Sequence, residues 1–298
     1  MLVVPTRSLQ ASQITVLRAD SLQKLRWLIH GFSTRLGGFS EAYGGGALNL
    51  GFTKHDSRGA VERNRLAFLE KLGAMNAGQP WPLITLRQIH SDVIHCVAGP
   101  PSQPLVGDGL VTDRPGVLLA AQTADCLPVI LVDPKRRAVG VFHAGWRGTV
   151  KRIVEKGVGE MRRWFGSLPR DLRAAIGPGI HSCCYEVGPE VRERFHSQFA
   201  YAAELFRESK ESDRIRERYP LLFLTARAPG HGELPKKIFL DLVEANRRQL
   251  LDAGVAAKNI TASLLCTCCR TDLLFSYRAA KGPTGRLMGV AGIRTASK

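Results

Sequence analysis

Apolar and polar positions change rhythm several times along the chain, and each rhythm predicts an element. "LIHGFSTRLGGFS" (28–40) is a short apolar run that closes in a Gly-Gly turn. "SRGAVERNRLAFLEKLG" (57–73) predicts a helix, with Val61, Leu66, Leu69 and Leu72 as its approximate apolar face and Gly73 as its stop. Strand-like runs follow: "PLITLRQIH", "VIHCVAG", "GVLLAAQT", "PVILVD" and "AVGVFHA". Asp133-Pro134 and the Lys-Arg-Arg after it read as a tight connection, so the last two runs form a hairpin. "TVKRIVEKGVGEMRRWFG" predicts one amphipathic helix, because Val150, Ile153, Val154, Val158, Met161 and Trp164 recur at helical spacing. "LRAAIGPGI" reads as a strand, and "FLDLVEANRRQLLDAG" as a second helix with Gly254 past its end. "SLLCTCC", "LLFSYRA" and "LMGVAGI" read as further strand pieces. Antiparallel strands with interspersed helices predict an α+β fold.

The chain of 298 residues is read as a single domain. Residues 1–20 are an N-terminal extension or edge strand, and residues 206–237 a charged surface excursion. No apolar run approaches the length of a membrane span, and the start lacks a secretory pattern, so a cytoplasmic protein is expected. Seven cysteines, two pairs of them adjacent, do not make a disulfide framework, and reduced thiols are expected. The net charge of +16 favours anionic partners. That charge is spread along the chain without a nucleic-acid-binding signature. Salt-sensitive, non-specific nucleic-acid affinity is therefore expected, not a dedicated nucleic-acid function. A basic nucleic-acid-binding protein stays as a non-catalytic alternative.

Cys126 and His143 each sit at the edge of an apolar run, and His90 ends another. The ordinary readings are a small buried hydrophobe and two core or surface imidazoles. If the three strands are neighbours, two imidazoles and a thiolate suit zinc, with a fourth position for water or substrate. A Cys126 nucleophile with His143 as its base is the competing chemistry, and spacing does not separate the two. Arg35 lies beside Gly37 and Gly38, whose backbone could approach an oxyanion. Arg147 follows His143 closely enough to reach the same site. Arg278, Lys281 and Arg286 read either as further anion contacts or as a solvated basic loop.

The motifs "HGFSTRLGG", "LNLGF", "RQIHSD", "GDGLVT", "TADCLPVILVDP", "VFHAGWRG", "AIGPGIHSCCYEVG" and "CTCCRTDLLFSYR" occur in this order. Together they resemble the laccase-domain family, named for multicopper polyphenol oxidases and associated with purine nucleoside phosphorylase activity. Bacterial members are also known as peptidoglycan editing factors. The likeness runs from about Leu28 to Ile293, and "TADC" with "HAGWRG" is its most specific part. It implies a mixed β-sandwich of two sheets flanked by helices, layered α/β/β/α and distantly like the catalytic domains of cytotoxic necrotizing factors. It implies that His90, Cys126 and His143 are metal-binding and catalytic positions, with zinc favoured over copper. Phosphorolysis of adenosine, inosine and methylthioadenosine is implied, with adenosine deamination as a side activity. Arg35, Asn49, Gln88, Arg147 and Arg278 are the expected substrate contacts. The implied partners are purine nucleosides and phosphate, with no membrane, and the implied state is a monomer or weak homodimer. A Cys–His hydrolase that edits peptidoglycan precursors is the alternative enzyme. Only eight histidines and no His-x-His pair disfavour a true multicopper oxidase.

Overall fold

The computed structural model describes residues 2–3, 14–209 and 236–295. The chain gathers into two compact units, one of residues 1–181 with 242–298, the other Ser182–Asp241 inserted between these segments.

The first unit contains two six-stranded mixed sheets. One runs in the order Leu2–Val3, Val16–Ala19, Leu28–Ser33, Leu287–Ile293, Leu118–Thr123, Leu83–Ile84. The other runs Ile260–Ala262, Arg173–Ile176, Leu127–Asp133, Ala138–Ala144, Gly109–Thr112, Ile94–Cys96. Alternate residues of both meet in one core. Leu17, Phe32, Leu119, Ala121 and Ala291 come from the first sheet, and Leu110, Ile130, Val132, Val139, Val141 and Ala175 from the second. The opposite face of the first sheet (Ile29, Leu118, Ala120, Met288, Val290) packs on Phe68, Leu69 and Leu72 of the helix Arg58–Leu72. The second sheet is covered by the helices Ile153–Phe165 and Leu242–Asp252. With both faces covered, Leu127–Asp133 and Ala138–Ala144 are buried along their whole lengths, which explains their nearly continuous apolar sequences. The expected α+β sandwich with flanking helices is therefore the fold.

The predicted hairpin is present in full register, Leu127 opposite Ala144 through Asp133 opposite Ala138. The Asp133 carboxylate closes its turn by accepting from the N–H groups of Lys135 and Arg136. Ser57 caps the Arg58–Leu72 helix and Gly73 ends it with φ of 71°. Residues Val16–Ala19 are an integral strand beside Leu28–Ser33, with Leu17 and Ala19 wholly buried.

Several local expectations fail for tertiary reasons. The helix expected over 149–166 is two helices, Trp146–Val150 and Ile153–Phe165, separated by Arg152 in the left-handed region. Gln249 donates to the Thr149 carbonyl, and Asn246 to the Thr149 hydroxyl, so the adjoining helix takes up groups at the break. Trp164 is exposed, its indole N–H donating to Glu160 one turn back. Leu66 is exposed as well, because Asn64 occupies the inner face, where it donates to Ser40, Ala47 and Asn49. "LLFSYRA" is no strand: Ser276 caps a short helix, Tyr277–Ala280.

The second unit has a three-stranded antiparallel sheet ordered Glu186–Val187, Lys237–Leu240, Phe206–Ser209, and the helix Pro189–His196. Most of the charged excursion of 206–237 lies outside the described residues; its two ends pair with each other in this sheet. No helix among the described residues is long and apolar enough to cross a membrane.

Two glycines of one helix make a test of the packing. A Cβ at Gly157 would stand 2.6 Å from the buried Phe142 ring, whereas one at Gly159 would meet nothing within 4 Å. Overpacking costs about 1–3 kcal/mol, and replacing a mid-helix Gly by Ala gains about 1 kcal/mol. Gly157→Ala should lower the thermal midpoint by a few degrees and Gly159→Ala should raise it slightly, as calorimetry would show.

Candidate metal centre

The site forms at one end of the second sheet. His143 lies opposite Pro128 in the hairpin, and Cys126 stands one residue before the Leu127–Asp133 strand. On the other side of His143, Gly109 pairs with Phe142, which brings Asp108 alongside. Side chains alternate along a strand, so Cys126, His143 and Asp108 continue the inward rows that elsewhere carry Ile130, Val141 and Leu110. Polar groups thus replace aliphatic ones where the sandwich ends.

Asp108 is almost wholly buried, at 1% exposure. Its Oδ1 accepts from His143 Nδ1 at 2.8 Å and from the His90 N–H at 3.1 Å. Its Oδ2 accepts from the N–H groups of Ile89 (3.2 Å) and Ser91 (2.6 Å) and from the Ser91 hydroxyl (2.7 Å). Burial pushes this carboxyl up, but the bonds from His143 and Ser91 outweigh it and hold the group well below the usual carboxylate range. An ionised carboxylate only accepts, so Nδ1 of His143 carries a proton and Nε2 is the atom left for chemistry. The same carboxylate holds the segment bearing His90, which sits at φ 57°.

Cys126 Sγ lies 3.9 Å from His90 Nε2, and the two imidazole rings meet edge to face with centroids 4.9 Å apart. One ligand atom from each of His90, Cys126 and His143 lies within 4.8 Å of the others. Gly145 keeps the space between them clear. A Cβ there would stand 2.8 Å from Cys126 Sγ and 2.9 Å from the His90 ring. Burial raises the Cys126 thiol, but the charges and hydrogen bonds of His143 and His90 overcome it and bring the pKa down to about 6. Burial lowers His143, while the Cys126 charge and the Asp108 bond raise it to about 9. Each group thus favours the charged form of the other, a thiolate beside an imidazolium, when no metal takes the proton's place. Two imidazoles and a thiolate around a space kept open by a glycine fit a transition metal of the zinc type.

Asp125 buttresses Cys126 from the preceding position. Its φ of 104° is unusual for a residue with a side chain. Its carboxylate accepts from the Thr267 hydroxyl at 2.6 Å and the Arg278 N–H at 2.7 Å.

The five expected substrate contacts are distributed unevenly. Arg35 donates to the carbonyls of Thr271 (2.8 Å) and Tyr43 (2.5 Å), and its guanidinium lies over the Phe275 ring. Gly38, beside it, approaches the backbone of Ala47 and Leu48 too closely for any Cβ, and its N–H donates to Gly46. That Gly-Gly pair serves a backbone crossing. Asn49 is fully buried, and its amide is spent within the fold, donating to Gly51 and Asp56 and accepting from Gly51 and Arg286. Gln88 pairs through both amide atoms with the backbone of Gln122. Arg147 is exposed and stacked on Trp146. Arg278 is exposed, with its backbone on Asp125. Asp108, Asp125 and Gly145 were missed by sequence reasoning; the motifs "GDG", "TADC" and "HAGWRG" contain them but do not say which residue holds which.

The family model described as multi-copper polyphenol oxidoreductase laccase matches residues 29–294. The chain belongs to this family. The purine nucleoside phosphorylase YlmD of Bacillus subtilis (strain 168) is 31% identical over 287 residues, spanning 93% of each chain. The adenosine deaminase RL5 of an unknown prokaryotic organism is 38% identical over 179 residues, 60% of this chain and 59% of its own. The crystal structure of YlmD from Geobacillus stearothermophilus superposes with a TM-score of 0.77 at 31% identity, covering 99% of both chains. The relatives' names are those of enzymes, and the protein is an enzyme of this kind.

Four outcomes are expected from the geometry. In metal-free protein, alkylation of Cys126 followed by peptide mass mapping should rise through about pH 6, below the ~8.5 of a free thiol. His143→Ala should shift that midpoint upward, because burial is then offset less. Asp108→Asn should weaken metal binding by about 10–100-fold in a chelator competition. Asp108→Ala should also cost about 3 kcal/mol or more in denaturant unfolding, since it strands buried donors.

Proposed function

We propose that the protein is a zinc-dependent purine nucleoside phosphorylase. It would convert adenosine, inosine and methylthioadenosine, with phosphate, into free base and ribose 1-phosphate, and deaminate adenosine as a side activity. The convergence of His90, Cys126 and His143 carries this reading, and the names of the relatives support it. All its residues lie in the first unit. Purine nucleosides and phosphate are the small-molecule partners, and the setting is cytoplasmic.

His90, Cys126 and His143 would hold the ion, which when bound supplies Lewis-acid activation of an oxygen nucleophile. Copper has a use for the same donor set. Laccase chemistry needs a second, histidine-rich copper cluster, and no other such group containing a histidine occurs among the described residues. In phosphorolysis a phosphate oxygen bonds to C1′ while the C1′–N9 bond breaks. The purine leaves with the electron pair and takes up a proton. Asp108 keeps His143 in one tautomer and fixes the His90 backbone, so no reorganisation is needed during reaction. Arg35, Arg147 and Arg278 offer positive charge for the anion. The first acts with the donors left after its two carbonyl bonds. Asn49 contributes by holding the Arg286 backbone, and Gln88 by tying its segment to Gln122.

Inosine and phosphate incubated with the zinc-loaded protein should yield hypoxanthine and ribose 1-phosphate. A lack of phosphate-dependent release would overturn this reading. Cys126→Ala and Cys126→Ser should lose metal and phosphorolysis in parallel while keeping near-wild-type circular dichroism, because the apolar core forms without the ion.

One observation favours a second reading. The lowered Cys126 thiol, His143 and the Asp108 carboxylate on Nδ1 form a nucleophile, base and orienting group. That arrangement suits amide hydrolysis, including the editing of a peptidoglycan precursor. Hydrolase activity that survives exhaustive chelation would favour it; activity lost on chelation and restored by zinc would exclude it.

A further inference from the structure

The metal centre makes no use of most of the net charge of +16, and a second place in the first unit gathers part of it. A cavity of about 270 Å³ is lined by Ser21, Lys24, Arg173, Lys258 and Asn259. Three of these five side chains are cations, and among the described residues none of the three stands in an ion pair. Neighbouring carboxylates are engaged elsewhere: Asp171 pairs with Lys135, and Asp20 accepts from Gln23.

The floor of the cavity is fixed. Arg173 is half-buried on its strand, and Nη1 donates to the Ser21 carbonyl at 2.8 Å, which leaves the rest of the guanidinium fork. The Ser21 hydroxyl lies 3.2 Å from that of Thr261, and Asn259 is held by its bond to the Arg170 carbonyl. Lys24 and Lys258 are exposed on flexible stems, able to close on a ligand from the rim. Arg173 lies opposite Val132, at the far end of the Leu127–Asp133 strand from Cys126. At about 3.3 Å per residue, the cavity is about 20 Å from the metal centre.

We propose that this cavity binds the phosphate group of a small anion, either inorganic phosphate or a sugar phosphate. A phosphate monoester is largely dianionic at neutral pH, with a second pKa of about 6, and presents several acceptor oxygens. A planar guanidinium fork, two ammonium groups and a hydroxyl supply more donors and charge than a carboxylate would use. The volume falls below that of a typical drug-sized pocket, which suits a phosphate carrying at most a small polyol. Binding should weaken with added salt, because the two lysines are exposed.

Equilibrium dialysis of radiolabelled inorganic phosphate against wild type, Cys126→Ala and the double variant Lys24→Ala/Lys258→Ala tests this. Wild type and Cys126→Ala should share a phosphate site, and the double variant should bind there at least tenfold more weakly. Arg173→Lys, which keeps the charge but loses the guanidinium fork, should bind more weakly than wild type. Displacement by ribose 5-phosphate at lower concentration than by inorganic phosphate would identify a sugar phosphate as the occupant; the reverse order would identify inorganic phosphate. Phosphate binding by Cys126→Ala that is unchanged when Lys24→Ala/Lys258→Ala is added to it, or no site that survives Cys126→Ala, would overturn the proposal. Phosphorolysis by the double variant at saturating substrates should stay near wild type, so the outcome does not depend on the proposed activity.

Discussion

The buried carboxylate of Asp108 is the constraint on which the site depends. It binds the ring of one histidine and the backbone beneath another, on two segments that no ladder of strand hydrogen bonds joins directly. Such a group is costly to bury alone and tolerable when every lone pair is occupied. Its five donors meet that condition. The consequence is a pair of imidazoles already aimed before any ligand arrives. Cys126 is added by strand register, one residue before the hairpin that carries His143, and by the tethered Asp125 that precedes it.

The two strained backbones fit the same account. His90 at φ 57° and Asp125 at φ 104° flank the cluster, and each is tied by hydrogen bonds that a relaxed chain would not make. Strain at such points persists only where the surroundings over-determine it. Here the surroundings are a core closed on both faces of the second sheet.

Much of this was legible in the sequence. Continuous apolar runs gave the central strands, the Asp-Pro turn gave the hairpin, and Gly73 ended a helix to the residue. Candidate residues were harder to tell from ordinary ones. His30 and His143 both end apolar runs, yet His30 accepts from the Ala19 N–H and is held neutral by burial, its pKa lowered to about 4. Only the neighbouring strand, which brings Asp108 to one and not the other, separates them. Asn49 and Gln88 looked like ligand contacts because polar residues in a motif do; the fold uses their amides to stitch its own backbone. The broken helix at Arg152 has no local signal at all, because its cause is two side chains about 100 residues away in sequence.

The central claim is that one thiolate and two imidazoles, set by Asp108 and register, form a single metal centre. X-ray absorption at the zinc edge of the zinc-loaded protein tests it most directly. The account predicts one sulfur and two imidazole scatterers, with the sulfur lost in Cys126→Ala. A zinc shell without sulfur in wild type, or one unchanged by that substitution, would contradict it.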